Sequence, residues 1–184
     1  MKRDYGFFAG AATCLCGYVA GAITVLFRGG DGEAVEAFLA AEVQRDWLSA
    51  LLAGPGHLLP VLGCGLFLFG WLVALPLVFY RTFGLGYTAG LFLSALGTKG
   101  FLPLGLCLFP SAAGECLLLI RAVREALPQS WDLFRGRLGD NSAFAARWRG
   151  YCLRGIVSLQ LSSALMLWDL YLSPLILSGI RDLL

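Results

Sequence analysis

The sequence has few charged residues and a single histidine. Asp, Glu, Lys and Arg together make up 14% of the 184 residues, and the histidine is His57. In a soluble domain of this size, about a quarter of the residues are charged. The HExxH, GxSxG and phosphate-loop motifs are absent, and His57 has no neighbours in the sequence that would form a catalytic triad or a metal site. We therefore expect neither enzymatic activity nor a cofactor.

The six cysteines lack the spacing of a disulfide framework or a zinc site. The sequence has no CxxC pair, and all six cysteines fall within apolar runs. Cys14 and Cys16 are two residues apart, so on a helix they point away from each other. We interpret the cysteines as small buried apolar residues.

The sequence is rich in long runs of apolar residues. Apolar residues make up 58% of the chain, and the mean hydropathy is +0.75. Several runs approach the ~20 residues that cross a hydrocarbon core of about 30 Å. They are continuous rather than alternating, which favours helices over a β-barrel. We predict an all-α, polytopic helix bundle in the cell membrane, a single domain over residues 1–184. Its five predicted spans cover residues 6–27, 58–80, 82–98, 101–120 and 151–173.

Lysines and arginines predict the orientation of these spans. With the N-terminus in the cytoplasm, ten of them lie on the inner side and four on the outer side, which is the usual cytoplasmic excess. We therefore expect an N-in, C-out protein, unless the short, glycine-rich third segment is re-entrant, in which case this difference is lost. The inner set is Lys2, Arg3, Arg81, Arg121, Arg124, Arg135, Arg137, Arg147, Arg149 and Arg154, and the outer set is Arg28, Arg45, Lys99 and Arg181.

Two segments between the spans have a character of their own. Residues 33–53 form a predicted amphipathic helix on the outer side, with an acidic bias. This helix either lies in the membrane interface or on the spans, or it is a docking surface for an extracytoplasmic partner. Residues 121–150 form a basic inner loop whose arginines suit lipid headgroups, so we expect no nucleic-acid binding. The candidate partner-binding residues are Glu42, Arg45, Asp46 and Trp47.

Ionisable residues inside predicted spans indicate pairing or function. Glu115 lies about 9 Å from the inner end of the fourth span, and Arg154 lies at a similar depth in the fifth. We therefore predict that Glu115 and Arg154 form a buried ion pair. Asp169 lies at the depth of Lys99, near the outer ends of their spans, which predicts a second pair. A proton or substrate relay and a neutral, protonated Glu115 are the alternatives.

A proline five residues before Glu115 interrupts the fourth span. Pro110 removes a backbone donor and bends a helix. Transporters use broken helices to build binding sites. The break therefore predicts either a packing device or the site of a small solute-binding or transport subunit.

Small residues at helical spacing predict close helix contacts. Three pairs, Gly6 and Gly10, Gly17 and Gly21, and Gly86 and Gly90, form GxxxG patterns, which let helix backbones approach in lipid. We expect a closely packed bundle, and these faces also suit a homo-oligomer.

Two stretches resemble the stage II sporulation protein M family. They are "RTFGLGYTAGLFLSALGTKGF", which begins at Arg81, and "FPSAAGE", which ends at Glu115. The second stretch aligns with a Pro-His-Gly-x-x-Glu signature, in which Ser111 and Ala112 here replace the His and Gly. The family's glycine positions are occupied by Gly86, Gly90 and Gly100, and the two ends of its signature by Pro110 and Glu115.

The resemblance implies a non-enzymatic role. In endospore formers the family member is a polytopic anchor in the mother-cell membrane. It recruits peptidoglycan hydrolases, the stage II proteins D and P, to the septum for cell-wall thinning and engulfment. We therefore expect a membrane scaffold with hydrolase partners on the outer side. The alternative is a small membrane solute-binding or transport subunit with a site around Glu115.

Overall fold

The structure is a computed structural model. It describes residues 2–29, 32–43, 46–97, 104–134, 141–172 and 174–175. Across these residues the chain is helical and forms no strand, so the predicted all-α fold is confirmed. Two short π-helical segments, Leu104–Leu108 and Trp168–Leu172, adjoin long helices. The α-helices are α1 (Lys2–Arg28), α2 (Gly32–Val43), α3 (Trp47–Ala53), α4 (Pro55–Cys64), α5 (Gly70–Leu96), α6 (Phe109–Phe134) and α7 (Asn141–Leu167).

Helices α1, α5 and α6 pack side by side in defined directions. The backbone of α1 contacts α5 at Phe79 near Gly17 and at Gly90 near Ala22, so α1 and α5 run parallel. The backbone of α1 contacts α6 in the reverse order along the chain, so α6 runs antiparallel to α1 and α5. We call the end of the bundle that holds the start of α1 the first end, and the opposite end the second end.

Helices α3 and α4 return the chain between α1 and α5. They are separated by Gly54, which contacts Ser162 of α7, whereas Leu62 at the far end of α4 contacts Gly155. Helix α4 is therefore antiparallel to α7. Within the described residues, the helices make five passes between the two ends of the bundle, in alternating directions. The start of α1 and the end of α7 consequently lie at opposite ends.

Four described segments are long and apolar enough to cross a membrane. By length and composition alone, they support the predicted membrane protein with transmembrane helices. Helix α6 also runs between the two ends of the bundle, but it is not one of these four segments. The four segments are Tyr5–Arg28, Trp47–Cys64, Gly70–Ala95 and Arg147–Leu172.

The turn between the second and third passes is not where the sequence predicted it. The predicted spans 58–80 and 82–98 meet at Arg81, but Arg81 lies near the middle of the continuous helix α5. The turn is at residues 65–69, where Ser130 of α6 accepts a hydrogen bond from the N–H of Trp71 and donates one to the carbonyl of Phe67. A charged residue was mistaken for a span end because its partner, far away in sequence, was not visible.

The predicted outer helix over residues 33–53 is also divided differently. Helix α2 ends at Val43, residues 44–45 lie outside the described part, and α3 begins at Trp47. Helix α3 continues with α4 into the second pass. The apolar side chains assigned to an amphipathic outer helix therefore belong partly to a pass of the bundle.

The fourth pass is longer than predicted, and the predicted inner loop 121–150 is mostly helical. Residues 101–103 lie outside the described part, and α6 runs on to Phe134. Pro128 lies inside α6 and removes one backbone donor without ending the helix. Helix α7 then begins at Asn141, so only residues 135–140 of that loop lie between the two helices, outside the described part.

Two of the predicted glycine spacings lie at the contact between α1 and α5, and the spacing of Gly6 with Gly10 lies against α6. A Cβ at Gly86 would collide with the backbone of Tyr18, and one at Gly21 would collide with the carbonyl of Phe83. Val78 and Thr82, next to this contact, are fully buried. The predicted close packing through small residues is therefore present, and the homo-oligomer stays a prediction.

Glycine 86 offers a test of this contact, with Gly84 on the same helix as its control. We expect Gly86→Ala to lower the free energy of unfolding in detergent by about 1–3 kcal/mol, because the added methyl group forces α1 and α5 apart. A Cβ at Gly84 meets nothing within 4 Å, so Gly84→Ala is expected to be neutral or slightly stabilising. Equal effects of the two substitutions in a circular-dichroism unfolding titration would contradict this packing.

Candidate functional site

The centre of the bundle holds an ion pair between α5 and α6. Arg81 donates from Nε to Oε2 of Glu115 at 3.1 Å, and from Nη2 to Oε1 and Oε2 at 2.9 and 2.7 Å. The side chains are 22% and 11% exposed, respectively. The planar guanidinium faces both carboxylate oxygens, which is the strongest geometry for such a pair. The two helices are thereby fixed to each other at this level.

This pair explains how α5 can carry an arginine within an apolar helix. A lone guanidinium or carboxylate inside a bundle has a large desolvation penalty, which a close partner with good hydrogen bonds offsets. Sequence reasoning missed Arg81 as a site residue. The available signal was its position in a run, residues 70–96, in which Pro76 is the only proline and no Pro-Gly or Asn-Gly turn pair occurs.

The predicted pair of Glu115 with Arg154 is wrong. Nε of Arg154 lies 2.8 Å from Oε2 of Glu125, in ion-pair contact but without the alignment of a hydrogen bond. Glu125 is ten residues after Glu115 on α6, about 15 Å along the helix. The depth argument failed because it ended the fourth span at residue 120, whereas α6 continues to Phe134.

The remaining predicted pair lies partly outside the described residues. Lys99 and the family-motif residue Gly100 are both outside, so the pair of Lys99 with Asp169 stays a prediction. Asp169 itself lies in the π-helical segment after α7 and lines the cavity described below. Of the other motif positions, Gly90 packs on Ala22 of α1.

The candidate partner-binding residues are only partly described. Asp46 precedes α3 and is exposed, and its carbonyl accepts a hydrogen bond from the Ser49 hydroxyl. Trp47 is 65% exposed at the start of α3. Arg45 and the side chain of Glu42 lie outside the described part of the structure.

A cavity of about 370 Å³ lies beside the ion pair. Its walls come from α1, α2, α5, α6 and the two π-helical segments, and most of its lining is apolar. Leu104 and Leu108, from the irregular segment before Pro110, form part of one wall, so the predicted irregularity of the fourth span adjoins the cavity. The polar and charged lining residues are Tyr18, Arg81, Thr88, Ser111, Glu115, Cys116 and Asp169.

A second, much smaller space lies against the same ion pair. Its volume is about 10 Å³, and His57 and Ser162 line it together with Arg81 and Glu115. This is close to the volume that one water molecule requires. Nδ1 of His57 lies 2.8 Å from the carbonyl of Ala53. Within the described residues, no group of three or more His, Cys, Asp or Glu side chains could hold a metal ion.

No protein-family model, curated protein or solved structure matches this chain. The resemblance seen in the sequence therefore rests on its short motifs. The geometry of the described residues has to supply the rest of any functional argument.

A double-mutant cycle tests the partner of Glu115. We expect Glu115→Leu or Arg81→Met alone to lower the free energy of unfolding in detergent by about 3–5 kcal/mol, because each leaves an unpaired buried charge. The double variant is expected to recover part of that loss.

Arg154→Met provides the matched control for this cycle. Combined with Glu115→Leu, its effect on the free energy of unfolding is expected to be additive, since Arg154 contacts Glu125 instead. Strict additivity of the Arg81 and Glu115 substitutions would refute the central ion pair.

Proposed function

We propose that this chain is a non-enzymatic integral membrane scaffold of the kind that its motif resemblance implies. In this role its N-terminus is cytoplasmic, and its second end anchors peptidoglycan hydrolases on the outer side of the cell membrane. The observation that carries the proposal is the use made of the motif residues. Gly86 and Gly90 pack on α1, and Glu115 is engaged in the pair with Arg81. These residues hold helices together, which is what a scaffold requires.

Helix α2 supplies a fixed surface at the second end. Val35 is buried, and the ring of Phe38 packs edge-on against Phe92 of α5, with ring centroids 5.7 Å apart. The carboxylates of Glu33 and Glu36 are on exposed residues of the same helix. Because α2 is held by its apolar face, these acids form a surface whose position relative to the bundle is set.

The charge of this surface suggests the kind of partner. An acidic patch attracts a basic surface, and charge complementarity raises association rates and sets orientation. We propose that hydrolases of the stage II protein D and P type dock on α2 through a basic surface. Asp46 and Trp47, exposed at the start of α3, extend the same region along the chain.

Charge reversal on α2 tests this proposal. We expect the double variant Glu33→Lys and Glu36→Lys to capture at least about tenfold less of either hydrolase in a co-purification from membranes, because like charges repel the basic docking surface. The control is Arg149→Glu, which reverses an exposed charge near the opposite end of the bundle and is expected to leave capture unchanged. Failure of the wild-type chain to capture either hydrolase, or equal capture by the α2 variant, refutes the scaffold.

The cavity beside Arg81 and Glu115 favours a second candidate function, a small membrane solute-binding subunit. Its volume is within the range of ligand pockets, which are mostly apolar with a few polar groups. Sites between the helices of a bundle are common.

A further inference from the structure

Arg81 has hydrogen-bonding capacity that its ion pair does not use. The three bonds to Glu115 involve Nε and Nη2, and the two N–H groups of Nη1 take no part in them. Arg81 lines the 370 Å³ cavity and keeps 22% of its side chain accessible. A guanidinium has five N–H donors in a fixed plane, so a ligand in this cavity can be met by a rigidly held donor.

Two of the three hydroxyl groups around the cavity, those of Ser111 and Thr88, give their hydrogens to their own helices. Ser111 donates to the carbonyl of Leu108 at 3.1 Å, and Thr88 donates to the carbonyl of Gly84 at 3.0 Å. Much of the remaining lining is apolar, including Leu85, Leu104 and Phe109. The cavity therefore suits a molecule with an apolar body and one hydrogen-bond acceptor.

The charges of the lining select against ionic ligands. An anion would lie beside Glu115 and a cation beside Arg81, each at the cost of its own hydration. The carboxylate of Glu115 already neutralises Arg81. An uncharged acceptor avoids both penalties and still accepts a charge-assisted hydrogen bond.

We propose that this cavity binds an uncharged, lipid-soluble carbonyl compound, whose oxygen accepts hydrogen bonds from Nη1 of Arg81. The ring or chain of the compound lies against the apolar lining. A quinone head group and an acyl ester share this chemistry and are the two sources available in a membrane. The inference rests on the second candidate function, solute binding, and is independent of the proposed scaffold.

The test compares probes that differ in the carbonyl group. The purified chain in detergent is titrated with a decyl-substituted benzoquinone, with a monoacylglycerol as the ester probe, and with decylbenzene, which has the same carbon skeleton as the quinone probe but no carbonyl. Native mass spectrometry measures the bound fraction. We expect at least one carbonyl probe to bind about tenfold more tightly than decylbenzene, and the tighter of the two identifies the source. Equal binding of all three probes overturns the proposal.

Two variants locate the binding. Ala112→Phe fills the cavity and is expected to abolish binding of the carbonyl probe, whereas Leu117→Phe, on an exposed position of the same helix, leaves it unchanged. The folded double variant Arg81→Met and Glu115→Leu is expected to bind the carbonyl probe only as well as decylbenzene. Unchanged binding in Ala112→Phe overturns the site.

The outcomes also distinguish the proposed ligand class, the solute-binding function and the scaffold function from one another. If the carbonyl probes fail but a water-soluble vitamin binds and is lost in Ala112→Phe, the solute-binding function stands and the proposed ligand class is wrong. The scaffold is tested separately, by hydrolase capture with the Glu33→Lys and Glu36→Lys variant, because these two acids do not line the cavity.

Discussion

The pairing of Arg81 with Glu115 is the interaction on which the rest of the structure depends. Both residues lie within otherwise apolar helices, and neither charge is tolerable there alone. The pair allows residues 70–96 to remain one continuous helix, which moves the preceding turn to residues 65–69. Because the turn is there, α3 and α4 supply the second pass, and the end of α7 lies at the opposite end of the bundle from the start of α1. The register of α5 and α6 is thus set by two side chains.

Close packing of α1 supports the same arrangement from the other side. Gly17, Gly21 and Gly86 bring the backbones of α1 and α5 together, so Arg81 has little freedom to leave its partner. The cavity lies in the space that the π-helical segments before α6 and after α7 leave unfilled beside α1, α2 and α5. In the two proposed functions, the pair of Arg81 and Glu115 holds the helices of a scaffold together and supplies the hydrogen-bond donor of a binding site. Glu33 and Glu36 of α2 do not line the cavity, although Phe38 of the same helix does.

The sequence predicts the helices better than it predicts their contacts. Apolar length and the GxxxG spacings depend only on neighbouring residues, and they indicated a closely packed helical bundle. The partner of Glu115 depends on where α6 ends, and the predicted span ended at residue 120, well before Phe134. Arg81 was assigned to a loop because a charge in an apolar run usually marks a span end. Its carboxylate partner lies 34 residues later, beyond the reach of any local pattern.

A charge swap between Arg81 and Glu115 tests whether this ion pair holds α5 and α6 together. The measurement is the fraction of protein that elutes as a single species in detergent gel filtration, for Arg81→Glu, for Glu115→Arg and for the two combined. We expect each single variant to aggregate, because two like charges then face each other in the bundle. We expect the combined variant to regain a large part of the wild-type peak. Single variants that elute like the wild type, or a combined variant no better than either one, would contradict this role of the ion pair.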